Sequence, residues 1–259
     1  MADVLVDWRD DLLVITLNRP ERLNAFSDEM RNTVVKVLRE EADNPRARAI
    51  LITGAGRGFC SGADLNPDTL FERIPIIERQ VINGINQMIM LLRGLPVPVI
   101  AAINGPAAGA GFSVALAADI ILAAESAIFA ATFVRIGAVL DGGASYMLTR
   151  KIGAGRAAAM AMLGAAIDAK TAQEWGLVHH VYEDGALMDA AFEMGAKLAK
   201  GPTLSLGLIK REISVAGTAP LEEVLRIEAS SQAKAFGTQD FREGVMAFVE
   251  KRKPIFRGV

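Results

Sequence analysis

The spacing of hydrophobic positions along this chain switches between two periods. Residues 4–8 and 12–17 are apolar runs on either side of the polar step Arg9-Asp10-Asp11 and read as two paired strands. From Ser27 the period changes: Met30, Val34, Val37 and Leu38 recur at i, i+4, i+7 and i+8. That is an amphipathic helix, with Ser27 as its N-cap, Asp28 and Glu29 in its first turn, and an end near Asn44-Pro45. A buried strand follows over 49–53, then a glycine-rich loop over 54–62. A long helix is predicted from about residue 72 to 93, with Ile77, Val81, Ile85, Met88 and Leu92 along one stripe. Strands over 99–103 and 120–123 enclose a second small-residue turn and a helix. Beyond a loop over 129–140 helical spacing prevails, broken by one strand within 177–182. Three helices fill the last quarter, over 203–215, 221–236 and 241–251, with Thr238 capping the last. The order β-β-α-β-α-β-α with a helical tail predicts an α/β fold. It divides into a core over residues 1–200 and a helical arm over 201–259, whose apolar stripe needs a partner such as another subunit.

Composition narrows the picture. The chain has 259 residues, 51% of them apolar, and a net charge of −2, which argues against nucleic acid as the main partner. One cysteine, Cys60, excludes an internal disulfide and fits a reducing compartment. Asp3, Asp7, Arg9, Asp10 and Asp11 interrupt the N-terminus, so no secretory leader is expected and a cytoplasmic location is. The apolar stretch over 95–124 is long enough for a membrane span, but Pro96, Pro98, Asn104, Gly105, Pro106 and Asp119 break it into strand, turn, helix and strand. Charge concentrates only at Lys251, Arg252, Lys253 and Arg257, which form either a solvated end or a contact for ligand phosphates.

Candidate chemistry lies in two turns. Ser61-Gly62-Ala63-Asp64-Leu65 follows one apolar strand and Gly109-Ala110-Gly111 follows another, and each is expected to open a helix. A helix leaves its first N–H groups without intrahelical partners, and small side chains let a ligand reach them. Facing each other, two such turns form an oxyanion hole; apart, they are tight turns and nothing more. Gly54-Ala-Gly56-Arg-Gly58 lacks the third glycine of a dinucleotide loop. The only histidines, His179 and His180, are adjacent and cannot share a strand face, so neither a metal site nor a histidine-based triad is expected. General bases must then be carboxylates. Asp141 precedes Gly142-Gly143 after an apolar loop, which fits either an N-cap or a base made stronger by burial. Asp64 is expected to cap the helix after Ala63, and Asp119 to make a structural hydrogen bond.

Residues 17–25 (Leu-Asn-Arg-Pro-Glu-Arg-Leu-Asn-Ala), 52–65, 99–111, 172–178 and 248–256 together resemble the enoyl-CoA hydratase/isomerase family, the crotonase superfamily. The resemblance implies a spiral of β-β-α turns and a C-terminal helical region that builds trimers, often paired into hexamers. It implies an acyl-CoA thioester as substrate, with coenzyme A arriving as part of it and no separate cofactor. Ala63 and Ala110 match the two oxyanion-hole positions of the family. Arg22, Leu23 and Ala25, with Ser61, Gly62, Ala63, Asp64 and Leu65, match positions that contact coenzyme A. The places of the two hydratase glutamates hold Ser113 and Phe133, while Asp141 matches an aspartate used by isomerases of the superfamily. Residues 133–143 are most similar to the branch that isomerises a ring epoxide of phenylacetyl-CoA. An isomerase is therefore expected, with Phe133 keeping the pocket dry. Hydratase, dehalogenase and dihydroxynaphthoyl-CoA synthase branches, and a non-catalytic CoA or RNA binder, are the alternatives; Asn86 stands where the dehalogenase has its histidine.

Overall fold

The computed structural model describes residues 2–259, and the side chains of all of these except residues 68 and 69. The strands are β1 (Val4–Arg9), β2 (Leu12–Leu17), β3 (Ala49–Gly54), β4 (Val99–Ile103), β5 (Pro106–Ala108), β6 (Ile120–Ala124), β7 (Ile128–Ala130), β8 (Ala166–Asp168) and β9 (His180–Tyr182). The helices of the first two thirds are α1 (Asp28–Asp43), α2 (Pro67–Arg73), α3 (Ile77–Val81), α4 (Gln87–Gly94), α5 (Ala110–Ala117), α6 (Ala144–Ile152) and α7 (Ala154–Leu163). The remainder are α8 (Ala169–Glu174), α9 (Leu187–Ala199), α10 (Thr203–Ala216), α11 (Leu221–Phe236) and α12 (Gln239–Val249).

Alternation along the strands divides the core into two layers. The main sheet has the order β1-β2-β3-β4-β6-β9, antiparallel only between β1 and β2. On one face Leu13, Ile15, Ile50, Ile52, Ala101, Ile103 and Ile121 pack against α1, α4 and α5. On the other, Leu12, Val14, Leu51, Ile100 and Leu122 pack against Leu187 and Ala191 of α9. Successive residues thus serve opposite layers, as a strand period of two requires. Because both faces are covered, β3 and β4 are buried throughout and read as continuous apolar runs. β5, β7 and β8 form a second, three-stranded sheet beyond the carboxyl ends of the first. The chain leaves β3 and β4 at those ends, where parallel sheets generally place their ligands.

Ser27 and Thr238 cap α1 and α12 as expected, each accepting a backbone N–H at 3.0 Å. The single helix expected from residue 72 to 93 is instead broken. A 3-10 turn at Ile74–Ile76 surrounds Pro75, α3 follows, and a π-helical turn at Ile82–Asn86 leads into α4. Proline cannot sit inside a helix without losing a hydrogen bond, and the wider π turn shifts the stripe by about one residue. Met88 and Leu92 stay in the core, while Ile77 is exposed.

The C-terminal arm is pinned to the sheet through Lys210. Its Nζ donates to the carbonyls of Leu92 (2.8 Å) and Val97 (3.0 Å) and pairs with Asp119 at 2.9 Å. Asp119 also accepts the Val99 N–H at 2.9 Å, the structural role expected of it. Lys210→Met leaves the half-buried Asp119 carboxylate short of a partner and two carbonyls bare. Urea denaturation should show a loss of about 3 kcal/mol.

Candidate active site

Residues 60–64 lie between two other chain segments. Asn24, in a left-handed turn with Leu23, is fully buried and donates to the carbonyls of Ala55 (2.9 Å) and Gly58 (2.7 Å). Ser61 donates its N–H to Leu23 and its Oγ to the Arg22 carbonyl. Phe26 then forms a parallel bridge with Ala63: its N–H reaches the Gly62 carbonyl at 2.7 Å, and its carbonyl receives the Asp64 N–H at 3.0 Å. In such a bridge the bonded residue uses both neighbours of its partner, so the N–H of Ala63 itself points away from Phe26. On the other side Cys60 bridges Ala107, with the Ala108 N–H on the Cys60 carbonyl at 2.9 Å.

The second turn presses directly on the first. Gly109 (φ +51°) caps α5, and Ala110 opens the helix. A Cβ added to Gly111 would lie 2.3 Å from the Cys60 carbonyl oxygen, and one added to Gly62 (φ +108°) would lie 3.5 Å from the Ala110 nitrogen. Only glycine allows this approach. Among the described residues neither the Ala63 N–H nor the Ala110 N–H has a hydrogen-bond acceptor. The expectation that both turns open helices holds for Ala110 alone. Ala63 is freed by its bridge, and α2 begins four residues later, at Pro67. Among the described residues Asp64 caps no helix: its carboxylate pairs with Arg19 at 2.8 Å.

Ala63 and Ala110 line a cavity of about 300 Å³ together with Asp141. Leu65, Ile77, Val81 and Ile85 supply much of its apolar wall. Asp141 is not the N-cap of α6; Gly143 holds that position without a side-chain bond. Instead the Asp141 backbone is held, its carbonyl accepting Ser113 Oγ and the Ala144 N–H, each at 3.0 Å. Gly142 packs on Ser113 and Ile85, where a Cβ would come within 3.0 Å. The carboxyl is left with a buried Oδ1 that has no partner among the described residues, and burial pushes its pKa up to about 6.

Several expected site residues lie beside the cavity rather than on it. Asp64 and Leu65 line it; Arg22, Leu23 and Ser61 are bonded to one another just behind, and buried Ala25 precedes Phe26 on the wall. Phe133 is buried but is not part of the wall beside Asp141, which Ile85 and Val81 form instead. The basic tail does not reach the cavity within one chain: Arg252 is paired with Glu243 and Glu250, and Arg257 lines a separate groove. Cys60 is fully buried, which pushes its thiol up to about 12. Sequence reasoning missed Asn24 and Arg31. An asparagine in a left-handed turn is a local signal for the first; the second sits on a helix face that periodicity assigns to solvent.

The sheet, the helical arm and the paired turns define a crotonase fold. The enoyl-CoA hydratase/isomerase family model matches residues 8–259, and the chain belongs to that family. It is 42% identical to 1,2-epoxyphenylacetyl-CoA isomerase of Escherichia coli (strain K12), covering 100% of this chain and 99% of that one. It is 39% identical to a protein of Rhodobacter capsulatus named probable enoyl-CoA hydratase, over 96% of this chain and 95% of the other. Among solved structures, enoyl-CoA hydratase/isomerase from Cupriavidus metallidurans CH34 superposes with a TM-score of 0.92 at 32% identity, covering 100% of this chain and 97% of that one.

Folding raises the Asp141 pKa from its ordinary value, about 3.9, to about 6. The unfolded chain therefore releases this proton first, and stability falls as pH rises from about 4 to about 6. Asp141→Asn removes that penalty. At pH 7.5 the variant should be more stable than the parent by about 2 kcal/mol in urea titrations, the difference vanishing below about pH 4.

Proposed function

We propose that the protein is an acyl-CoA isomerase that works through an enolate held by the N–H groups of Ala63 and Ala110, with Asp141 as the base. The observation that carries this reading is the state of the carboxylates on the cavity wall. Asp28 is ion-paired with Arg31 and Arg73, and Asp64 with Arg19, whereas Asp141 has no cation and no donor among the described residues. An unpaired, partly buried carboxyl with a pKa of about 6 is suited to take and return a proton near neutral pH.

The chemistry follows from placement. The thioester oxygen accepts both N–H groups, and Asp141 removes a proton from the adjacent carbon. The electron pair moves onto the oxygen, where each donor lowers the barrier by about 3–4 kcal/mol. Returning the proton two carbons further along converts a 3-enoyl to a 2-enoyl thioester. A ring epoxide conjugated to the same enolate opens by the same electron flow. Hydration is disfavoured because, by the family resemblance, Ser113 and Phe133 match the positions of the two hydratase glutamates, and neither can act as a carboxylate base. Arg22, Leu23, Ala25 and residues 61–65 form the coenzyme A contact, and the 42% identity to an isomerase supports the choice of reaction.

The exposed apolar side chains of Ile213, Leu221 and Leu225 on the arm support assembly into trimers or hexamers. Light scattering should therefore give three or six times the 27.6 kDa chain mass, and a monomer would refute this.

With hex-3-enoyl-CoA, Asp141→Asn should lower kcat at least a hundredfold and stop deuterium exchange at the carbon beside the thioester. For the parent, kcat/KM should rise with pH through an apparent pKa near 6. Water addition to crotonyl-CoA should be at least a hundredfold slower than isomerisation; fast hydration would assign the hydratase reaction instead.

A further inference from the structure

Every residue of α5 is buried, and Ser113 has the one polar side chain among them. A buried hydroxyl is unfavourable unless it finds a partner. The partner here lies in another segment: Ser113 Oγ donates to the Asp141 carbonyl at 3.0 Å. The competing acceptor, the Gly109 carbonyl one turn back, is farther away at 3.4 Å and already takes the Ser113 N–H at 3.1 Å. A hydroxyl has one proton to give, and the shorter bond claims it.

Little else directs Asp141. Residues 134–139, which lead to it, are exposed, and the two residues after it, Gly142 (φ +53°) and Gly143 (φ +71°), are left-handed and without side chains. Leu140 packs partly against the core, and a Cβ added to Gly142 would lie 2.9 Å from Ser113 Cβ. Apolar packing limits how far the loop can move but does not set a direction. Among the described residues the Ser113 bond is the only hydrogen bond that links residues 139–143 to another segment. It starts from α5, the helix that opens with Ala110. One rigid element therefore carries an oxyanion donor and the hold on the base. Ser113 itself is not on the cavity wall.

We infer that Ser113 is a positioning residue: its hydroxyl sets where Asp141 stands relative to the Ala63 and Ala110 N–H groups. The inference rests on the proposed reaction and deepens it by naming what fixes the base. A merely structural Ser113 would do no more than fill space under the loop.

Kinetics with hex-3-enoyl-CoA and amide hydrogen exchange read by mass spectrometry test this together. In Ser113→Ala kcat should fall about tenfold or more while KM changes less than about twofold, because a displaced base loses rate and not binding. A carboxyl freed into water is a weaker base, so the rise of kcat/KM with pH should begin lower than in the parent. Peptides covering residues 139–143 should exchange faster. Ser113→Cys keeps the buried volume with a weak S–H donor and should move each readout the same way; it carries the test if Ser113→Ala does not fold. Val114→Ala opens a void at the next position of α5 and should leave all three readouts at the parent values. Unchanged kcat in Ser113→Ala, a loss carried by KM, an unmoved pH profile, or an equal loss in Val114→Ala would each overturn the assignment. Faster exchange over 139–143 in a protein whose parent does not isomerise hex-3-enoyl-CoA would fault the proposed reaction and leave Ser113 as the group that places Asp141. An active parent matched by an equally active Ser113→Ala would do the reverse.

Discussion

The structure depends on one close approach, that of the first turn of α5 onto residues 60–62. At Gly111 the two segments come nearer than any side chain permits, since a Cβ there would meet the Cys60 carbonyl at 2.3 Å. Gly62 and Gly109 supply the positive φ angles that turn the chain at the same point. Around this contact, parallel bridges from Phe26 to Ala63 and from Cys60 to Ala107 consume the backbone groups on either side. What remains is a pair of unsatisfied N–H groups on a common cavity wall. Rigid backbone presents them, as the proposed oxyanion hole requires.

Asp141 illustrates the same economy. Its side chain makes no hydrogen bond among the described residues; its carbonyl is held by Ser113 Oγ and the Ala144 N–H, and Gly142 packs beside it. Fixing the backbone while leaving the carboxyl unpaired costs stability at neutral pH, and burial holds its pKa up at about 6, as the proposed base role requires. Asp28 and Asp64, on the same wall, show the opposite arrangement, with cations fixing both. Of the three carboxylates on this wall, Asp141 is the one without a paired cation among the described residues.

Between residues 74 and 86 the chain gives up ideal helix geometry to shape the cavity. Pro75 and the π turn rotate Ile77, Val81 and Ile85 toward the space beside Asp141, while Met88 and Leu92 keep the core register. Ile85 remains part of the core as well as of the cavity wall, Ile77 is exposed, and Gly84 in the π turn packs against Arg31.

Periodicity alone determined most of the architecture. The apolar runs of β2, β3 and β4, the stripe of α1, and the caps at Ser27 and Thr238 are legible locally in each segment. The small-residue turns at Ala63 and Ala110 were legible for the same reason, and the family resemblance marked Asp141. What tertiary structure decided is how these groups are paired. Whether Asp64 caps a helix or binds Arg19, whether Asp141 is capped or bare, and whether Arg31 meets solvent or a cavity depend on segments tens of residues away. Sequence spacing records a residue's own element; the partner that satisfies or orphans its polar atoms is brought by the fold.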